Sequence, residues 1–363
     1  MRPTLSKAVS TAVSSAFSPS VSSSSAQATL LIPGLIWPHQ ALLDLSHDLP
    51  TRSFCGLLGA GKLSRLPAGN TTQVFASAVG FPAGYAAAPI RFKEMGGDAG
   101  DHHWLCLDPI NLGFAESRLL VNDPSNLAIS ALEAEQFAVA LAPTFAAFGE
   151  MFVTAPGAWH LRLNATPPEA LTLVQSLRDS IGQRADSRFD PGGLPADWRH
   201  ALNEAQMLLH AHPLNQAREA NGLPTVNSLW PWGAGQMTQA GNSAHDLVLS
   251  NDLALRGLAQ QGGATVDKLP AEWLPGHAKH TLVHLDLLDD AARRHDGLAW
   301  REALSKLERH WFAPLRESLK HGKLNRLVLE FPGETQSFRL ELGRIHLWRF
   351  WRKARPLTCL ADA

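Results

Sequence analysis

The sequence predicts an α/β fold, with a mostly parallel sheet, helices on both of its faces and a small α+β insertion. Short apolar strand candidates alternate with helical patterns after residue 246, which is typical of parallel sheets. Leu30–Ile36 is apolar and short, as a buried first strand would be. Short mixed elements between residues 110 and 190 indicate the insertion. The 363 residues suffice for two modest domains or for one large domain with an insertion.

The first half of the chain holds several short predicted elements. Ser130 is followed by Glu133 at the third helical position, a capping-box pattern that predicts a helix start. The strands expected here are Leu30–Ile36, Trp104–Leu107, Arg118–Val121, Met151–Val153 and Trp159–Leu163. The expected helices are Phe54–Arg65, Ser130–Phe148 and Pro167–Ile181.

The second half begins with an amphipathic helix. Apolar residues recur at helical spacing from Trp198 to Leu209, and the helix must end near Ala211 because Pro213 restricts the residue before it. The strands expected afterwards are Val226–Trp230, Leu247–Ser250, Thr265–Val266, Thr281–Leu285, Leu324–Leu329 and Phe338–Leu342. A helix ending at Gln260 and a longer one over Leu298–Lys320 separate them.

These elements predict a discontinuous core domain of residues 29–109 and 191–355, an insertion of residues 110–190, and a tail of residues 356–363. Residues 1–28 are rich in Ser and Ala and carry no acidic residue, but Ser and Thr interrupt every apolar run. A signal peptide needs such a run. We therefore expect a disordered leader or an over-extended start.

The composition argues against several function classes. The net charge of −1 gives no bulk attraction to nucleic acid or to an anionic membrane. No segment approaches the roughly 18 consecutive apolar residues of a membrane span. The three cysteines are widely spaced and odd in number, which favours reduced thiols and a cytoplasmic location.

The segment His212–Gly235 is unusually rich in polar, turn-forming and glycine residues. The strand candidate Val226–Trp230 leads into Gly233-Ala234-Gly235, and a glycine loop after a strand often lets backbone amides approach an anion. An alternative interpretation is an irregular loop between a helix and a strand, in which Asn215 and Asn227 only satisfy backbone groups.

This segment resembles the His-Pro-Val-Asn, Arg, Gly, Ala-Asn and Gly-x-Gly run of the archaeal-type cofactor-independent phosphoglycerate mutases, members of the alkaline phosphatase superfamily. It also closely resembles bacterial RpfE-type regulatory proteins. The resemblance implies an alkaline-phosphatase-like fold, and other segments follow in the family's order: Leu30–Leu35, Asp246–Gly257, Thr281–Asp290 and Arg326–Glu330. The ligand-binding residues that it implies are His212, Asn215, Arg218, Asn227, Gly233 and Gly235.

The chain departs from the family where phosphoryl transfer needs two metals and a serine nucleophile. Pro33 replaces the aspartate that closes the first strand, and Glu330-Phe331 replaces a terminal Asp-His pair. The nucleophile segment corresponds to Gly69–Gln73, which has no serine. The remaining hydroxyl candidates are Thr71 and Thr72, and the remaining metal-ligand candidates are Asp289, Asp290 and His295. We favour the alternative interpretation of the last cluster as a solvated helix start, in which the helix dipole favours acidic residues, and expect no metal site.

Three hypotheses follow. The first is a regulatory or phosphometabolite-binding protein, in which most metal and nucleophile positions are lost, no cofactor is expected, and the ligand is a small phosphorylated or carboxylate metabolite. The second is an active phosphoglycerate mutase or another metal-dependent phosphotransferase, which would need Mn²⁺ or Mg²⁺. The third is a module that binds a protein partner through the basic, aromatic segment Arg344–Arg355. That segment could also be a final edge strand protected by its positive charges.

Overall fold

A computed structural model describes residues 26–115, 118–185, 193–276, 278–347 and 352–361. The strands of this part of the chain are β1 (Gln27–Leu31), β2 (Lys62–Gly69), β3 (His103–Ile110), β4 (Leu112–Ala115), β5 (Arg118–Val121), β6 (Gly149–Ala155), β7 (Ala158–Leu163), β8 (Ser228–Gly235), β9 (Leu247–Leu249), β10 (Thr265–Asp267), β11 (His280–His284), β12 (Arg326–Phe331) and β13 (Gly333–Gly343).

Its α-helices are α1 (His39–Ser46), α2 (Arg52–Ala60), α3 (Thr71–Ala78), α4 (Ala87–Glu94), α5 (Ala131–Phe145), α6 (Glu169–Leu173), α7 (Leu177–Ser180), α8 (Ala196–Ala211), α9 (Pro213–Ala220), α10 (Leu253–Gln261), α11 (Asp289–Arg293), α12 (Gly297–Leu307), α13 (Ala313–Lys320) and α14 (Arg344–Leu347). A π-helical turn over Glu308–Phe312 joins α12 to α13, as the long helix predicted there requires.

The central sheet has seven strands in the order β10-β9-β11-β1-β12-β13-β2. The first five strands are mutually parallel, and β13 runs antiparallel to both of its neighbours. The predicted α/β class and mostly parallel sheet are therefore confirmed. The carboxyl ends of β1, β9, β11 and β12 meet along one edge of this sheet, which is where parallel sheets hold ligands.

Helices cover both faces of the central sheet because successive strand residues point to opposite sides. In β1 and just beyond it, Leu30 and Ile32 belong to the apolar core that packs against α1, α2 and α12. Leu31 belongs to a separate core with Phe75 of α3 and Leu258 of α10. The near-continuous apolar sequence of β1 reflects this burial on two sides.

A second sheet has four antiparallel strands in the order β6-β7-β3-β8. Its core includes Phe137 of α5 and Trp198 of α8, together with Leu161 of β7. Strands β3 and β8 come from chain segments on either side of the predicted insertion, residues 110–190. The insertion as a separate folding unit stays a prediction.

The capping box at the start of α5 is confirmed. The Ser130 hydroxyl accepts a hydrogen bond from the backbone N–H of Glu133 at 3.2 Å, and the Glu133 carboxylate accepts one from the backbone N–H of Ser130 at 2.8 Å. This reciprocal pair satisfies two donors that the first turn would otherwise leave unbonded.

Several predicted elements differ from the structure. The first strand, predicted over Leu30–Ile36, is Gln27–Leu31 and gives way to a turn at Pro33 and Gly34. The helix predicted over Phe54–Arg65 ends at Ala60, because Gly61 is extended and leads directly into β2. The helix predicted over Pro167–Ile181 is two short helices, α6 and α7, separated at the extended residue Val174. The polar run after His212 begins with helix α9, since Pro213 occupies a first-turn position where its missing N–H costs nothing.

Among the described residues, no helix is both long and apolar enough to span a lipid bilayer. The basic segment Arg344–Arg355 begins with the short helix α14 instead of an edge strand. Residues 348–351 of that segment lie outside the described part of the chain.

Candidate functional site

A cavity of about 430 Å³ lies at the carboxyl ends of β1 and β12, and we call it the polar cavity. Pro33 and Gly34 follow β1 into it, and the turn after β12 forms another wall. Thr71 enters from the start of α3, and His295 follows α11. Segments distant in sequence thus meet where the topology of a parallel sheet favours a ligand.

The start of α3 places one threonine in the polar cavity. The Asn70 side-chain oxygen accepts a hydrogen bond from the backbone N–H of Gln73 at 2.8 Å and so begins the helix. Thr71 is 5% exposed and lines the polar cavity, whereas Thr72 lines a different, apolar cavity. Neighbouring helical residues point about 100° apart, which is consistent with the two side chains lining different cavities. The Thr72 hydroxyl is hydrogen-bonded to the carboxyl group of Asp179.

Two arginines and three aspartates form an ion-pair cluster beside the polar cavity, and we call these residues the arginine–carboxylate cluster. Arg178 of α7 pairs with Asp252 at close range, with Asp289 at 3.2 Å and with Asp286 at 3.6 Å. Arg293 pairs with Asp289 at 2.8 Å and donates a hydrogen bond to the backbone oxygen of Arg178. One arginine therefore neutralises carboxylates that follow two different strands, β9 and β11.

Burial and the arginine charges change the protonation of two carboxyl groups at the polar cavity, those of Asp289 and Asp179. Burial acts to raise the pKa of Asp289, but Arg293 and Arg178 outweigh that effect and hold the pKa below its ordinary value. Asp179 behaves in the opposite way, because burial raises its pKa despite the hydrogen bond from Ser176 and the charge of Arg293. Two aspartates of the same cavity wall thus differ in how strongly they hold a proton.

His284, the last residue of β11, is fully buried beneath the cluster. Its Nδ1 lies 3.2 Å from the Ser250 hydroxyl oxygen, and its Nε2 has no hydrogen-bond partner among the described residues. Burial, followed by the charge of Arg178, lowers its pKa to about 4. The imidazole is therefore uncharged at neutral pH and adds no cation to the cluster.

The residues predicted as metal ligands do not fit a divalent cation. Asp289 is paired with two arginines, while Asp290 is 68% exposed and pairs with Arg294 at 3.0 Å. His295 is exposed, and the centroids of its ring and the Trp37 ring lie 6.0 Å apart in an edge-on arrangement. Within the described ranges, no three His, Cys, Asp or Glu side chains are arranged to hold a metal ion. Pro33, at the end of β1, has no side-chain oxygen to offer.

Arg218 and Asn215, both predicted to bind a ligand, are 3% exposed and bonded to the protein. The Arg218 guanidinium pairs with Glu133 at 2.7 Å and donates to the backbone oxygens of Leu127 and Pro224. The Asn215 amide bonds to backbone groups of Leu209 and Val226 at 2.7 to 3.0 Å. These side chains hold α8, α9 and the segment before β8 together, and Arg218 also joins α9 to α5.

Asn227 and His212 also contact backbone. The Asn227 side chain exchanges two hydrogen bonds with the backbone of Leu112, at 2.7 and 2.8 Å. His212 Nδ1 accepts a hydrogen bond from the backbone N–H of Leu214 at 3.2 Å, and its ring packs against Phe137. Neither residue lines the polar cavity. The ligand-binding role of this segment stays a prediction, and its hydrogen bonds match the alternative in which polar side chains satisfy backbone groups.

Gly233 and Gly235 lie within β8 instead of in a loop after it. Gly233 has a φ of +68°, and a Cβ there would come within 3.0 Å of the Cβ of Ala87. Gly235 has a φ of +144°, and its Cβ would lie 2.7 Å from the Cβ of Ala86. The close approach that these glycines permit is to the start of α4.

Of the arginine–carboxylate cluster, only Asp289 was named from the sequence, as a candidate metal ligand. Asp252 and Asp286 each follow a predicted strand, which is the signal that could have identified them. Arg178 gave no such signal, since it lies in a segment predicted as ordinary helix within the insertion.

The chain matches no protein-family model, and no curated protein matches it. Several solved structures resemble it, and two of them are as follows. The cofactor-independent phosphoglycerate mutase from Thermoplasma acidophilum DSM 1728 is 14% identical with a TM-score of 0.45, covering 88% of this chain and 90% of that one. The PH0037 protein from Pyrococcus horikoshii is 13% identical with a TM-score of 0.50, covering 88% of each chain. The second likeness shows a shared fold alone, and neither name supports the RpfE-type label.

Proposed function

We propose that this protein binds a small hydroxylated carboxylic acid in the polar cavity and does not catalyse metal-dependent phosphoryl transfer. The observation that carries this proposal is the pairing of Asp252, Asp286 and Asp289 with Arg178 and Arg293. Metal-assisted phosphoryl transfer needs carboxylates that are available to hold divalent cations. Here a cation would have to displace a guanidinium from a partly buried ion pair, which leaves an unpaired charge behind.

The lining of the polar cavity favours a ligand with hydroxyl groups and one negative charge. Side-chain amides and hydroxyls form much of its surface, contributed by Asn70, Thr71, Gln73, Gln175, Gln183 and Thr335. Arg293 bonds to Asp289 and to the backbone of Arg178, and its five N–H groups leave donors for a ligand carboxylate. Glu334 also lines the cavity, and its negative charge would repel a polyanion more strongly than a monoanion.

The sequence resemblance supports the same chemical class, because phosphoglycerate combines a carboxylate, a hydroxyl group and a phosphate. The charge of Glu334 makes the unphosphorylated acid the better candidate for this cavity. A regulatory role, a protein partner and a cytoplasmic location stay predictions.

The competing hypothesis is a working phosphotransferase with Thr71 as the nucleophile. One observation favours it: Thr71, Asp289 and His295 all line the polar cavity, although they lie far apart in sequence. Thr72 and Asp290 do not share this cavity. The same experiment can therefore decide between binding and turnover.

The experiment combines a thermal-shift titration with an activity assay on the full chain. We expect D-glycerate to raise Tm, with a gain of about 2.7 kcal/mol in stability at 100 times its Kd, whereas glycerol has no effect. With Mn²⁺ and 3-phosphoglycerate present, we expect no 2-phosphoglycerate. Metal-dependent formation of that product would overturn the proposal.

Adjacent arginines provide a matched control. Arg293→Lys keeps the charge but loses the planar fork that binds a carboxylate, so we expect weaker glycerate binding. Arg294→Lys changes an exposed residue that lies outside the polar cavity, and it should bind glycerate as the unchanged protein does. Equal affinities of both variants would place the carboxylate elsewhere.

A further inference from the structure

A second cavity, of about 270 Å³, lies between the central sheet's helices and the second sheet, and we call it the apolar cavity. Helices α3, α4 and α10 form one side of it, and β3 and β8 contribute to the other. Most of its surface is aliphatic, with walls formed by Ile90, Leu177, Ile181, Leu255 and Leu258. The binding role proposed for the polar cavity makes no use of this space.

At one end of the apolar cavity, Arg91 and Asp108 form a buried ion pair. The Arg91 Nη1 donates to both carboxylate oxygens of Asp108, at 2.9 and 2.7 Å. Asp108 is 1% exposed and also accepts hydrogen bonds from the backbone N–H of Trp159 and the indole N–H of Trp232. The carboxylate is thus fully bonded, and Arg91 carries the matching charge.

At the other end, Arg178 pairs with Asp252, both of which line the cavity. Each arginine in the wall therefore has a carboxylate partner, and these four charges sum to zero. A ligand with a net charge would enter this aliphatic space without a counterion, which is costly at low dielectric. The wall charges consequently favour an uncharged ligand.

Tyr85 contributes a hydroxyl group to the lining of the apolar cavity. It is the single tyrosine of the chain, and it lines the apolar cavity next to Phe81. No described residue forms a hydrogen bond with its hydroxyl group. Burial, then the nearby charges of Asp179 and Asp252, raises its pKa, so the hydroxyl stays protonated and can donate.

We propose that the apolar cavity binds an uncharged aromatic molecule that carries one hydrogen-bonding group, such as a phenol or an indole. Its ring packs between Ile90, Leu177 and Leu255, and its polar group bonds to the Tyr85 hydroxyl. The size agrees with this class, because a dry engineered cavity of about 150 Å³ suffices for benzene. Aliphatic walls with a few fixed polar groups are the usual composition of small-molecule sites.

The single tyrosine allows a direct test. Protein labelled with ¹³C-tyrosine gives one tyrosine ring signal set, which we would follow during titrations with phenol, indole and benzoate. We expect phenol and indole to shift the Tyr85 signals saturably, and benzoate to leave them unchanged because it is charged. Absence of a saturable shift with phenol and indole, or an equal shift with benzoate, would overturn the proposal.

A conservative variant separates binding from general packing. Tyr85→Phe keeps the ring and removes only the hydroxyl, so we expect phenol to bind about three- to tenfold more weakly, as a lost hydrogen bond implies. Benzene lacks a polar group, and its affinity should be unchanged by this substitution. Calorimetric titration of the full chain measures both affinities, and an equal loss for phenol and benzene would contradict a hydrogen bond from Tyr85.

Discussion

The segments His212–Gly235 and Asp286–His295 contain similar residues, namely histidine, arginine and Asn or Asp side chains, yet the structure uses them differently. In the first segment, Asn215 and Arg218 are buried and bonded to backbone groups and to Glu133. In the second, Asp289 and Arg293 line a cavity at the carboxyl ends of parallel strands. A dense run of polar residues therefore bonds to the protein itself as readily as it lines a cavity. Position relative to the sheet distinguishes the two.

The largest expected effect comes from Arg218. Arg218→Met should lower the free energy of unfolding by about 3 to 5 kcal/mol, because it leaves Glu133 without its partner and removes hydrogen bonds to two backbone oxygens. Chemical denaturation measures this loss. Arg199→Met, an exposed change on the neighbouring helix, should stay within about 0.5 kcal/mol. If the Arg218→Met protein were stable but no longer bound glycerate, the glycerate-binding site would lie in His212–Gly235 and not in the polar cavity.

Substitutions of Gly233 and Gly222 should lower the free energy of unfolding by a smaller amount, and the two glycines form a closely matched pair. Gly233 and Gly222 have φ angles of +68° and +69°, but only Gly233 is crowded, by Ala87 and Ala88. Gly222→Ala should cost about 1 kcal/mol from backbone strain alone. Gly233→Ala should cost about 2 kcal/mol or more, since overpacking adds to the strain. Equal losses in chemical denaturation would show that close packing on α4 is not what requires glycine.

Asp289 and Asp290 are neighbours in the second segment, and their substitutions can be compared directly. Asp289→Asn should cost about 1.5 kcal/mol at neutral pH, because charge-assisted hydrogen bonds from Arg178 and Arg293 are weakened. The folded-state pKa of Asp289 is lowered, so its contribution is fully present above about pH 4 and is lost as the pH falls through the folded value. The stability gap between the unchanged protein and Asp289→Asn should therefore narrow below about pH 4.

Denaturant midpoints recorded between neutral and acidic pH check this expectation. Asp290→Asn is the control, since Asp290 is 68% exposed and exposed ion pairs contribute little. The difference in stability between the unchanged protein and Asp290→Asn should be near zero at every pH. A gap for Asp289→Asn that stayed constant on acidification would argue against the ion pairs as its cause.

The fold could be predicted from the sequence because it depends on local patterns. The alternation of short apolar strands with amphipathic helices predicted the parallel sheet, and the pair Ser130 and Glu133 predicted the start of α5. The pairing of strands in the second sheet could not be predicted from local patterns, since β3 and β8 are separated by more than a hundred residues. Local pattern carries no information on such pairing.

The site was predicted only in part, for a related physical reason. Thr71, Asp289 and His295 were named from the resemblance to the mutases, and the structure brings them to one cavity. Arg178 could not be foreseen, because an arginine in a short helix becomes important only when tertiary folding places it among Asp252, Asp286 and Asp289. The sequence around Gly233 and Gly235 does not show whether a ligand or a helix approaches them, and their binding role stays a prediction.

The most direct test of the central claim is a calorimetric titration of the full chain with Mn²⁺, in the presence of 3-phosphoglycerate. Because Arg178 and Arg293 already pair with the carboxylates of the cluster, we predict no stoichiometric binding of Mn²⁺ and no turnover. Binding of one or two Mn²⁺ per chain, with formation of 2-phosphoglycerate, would contradict the account and identify a working phosphotransferase.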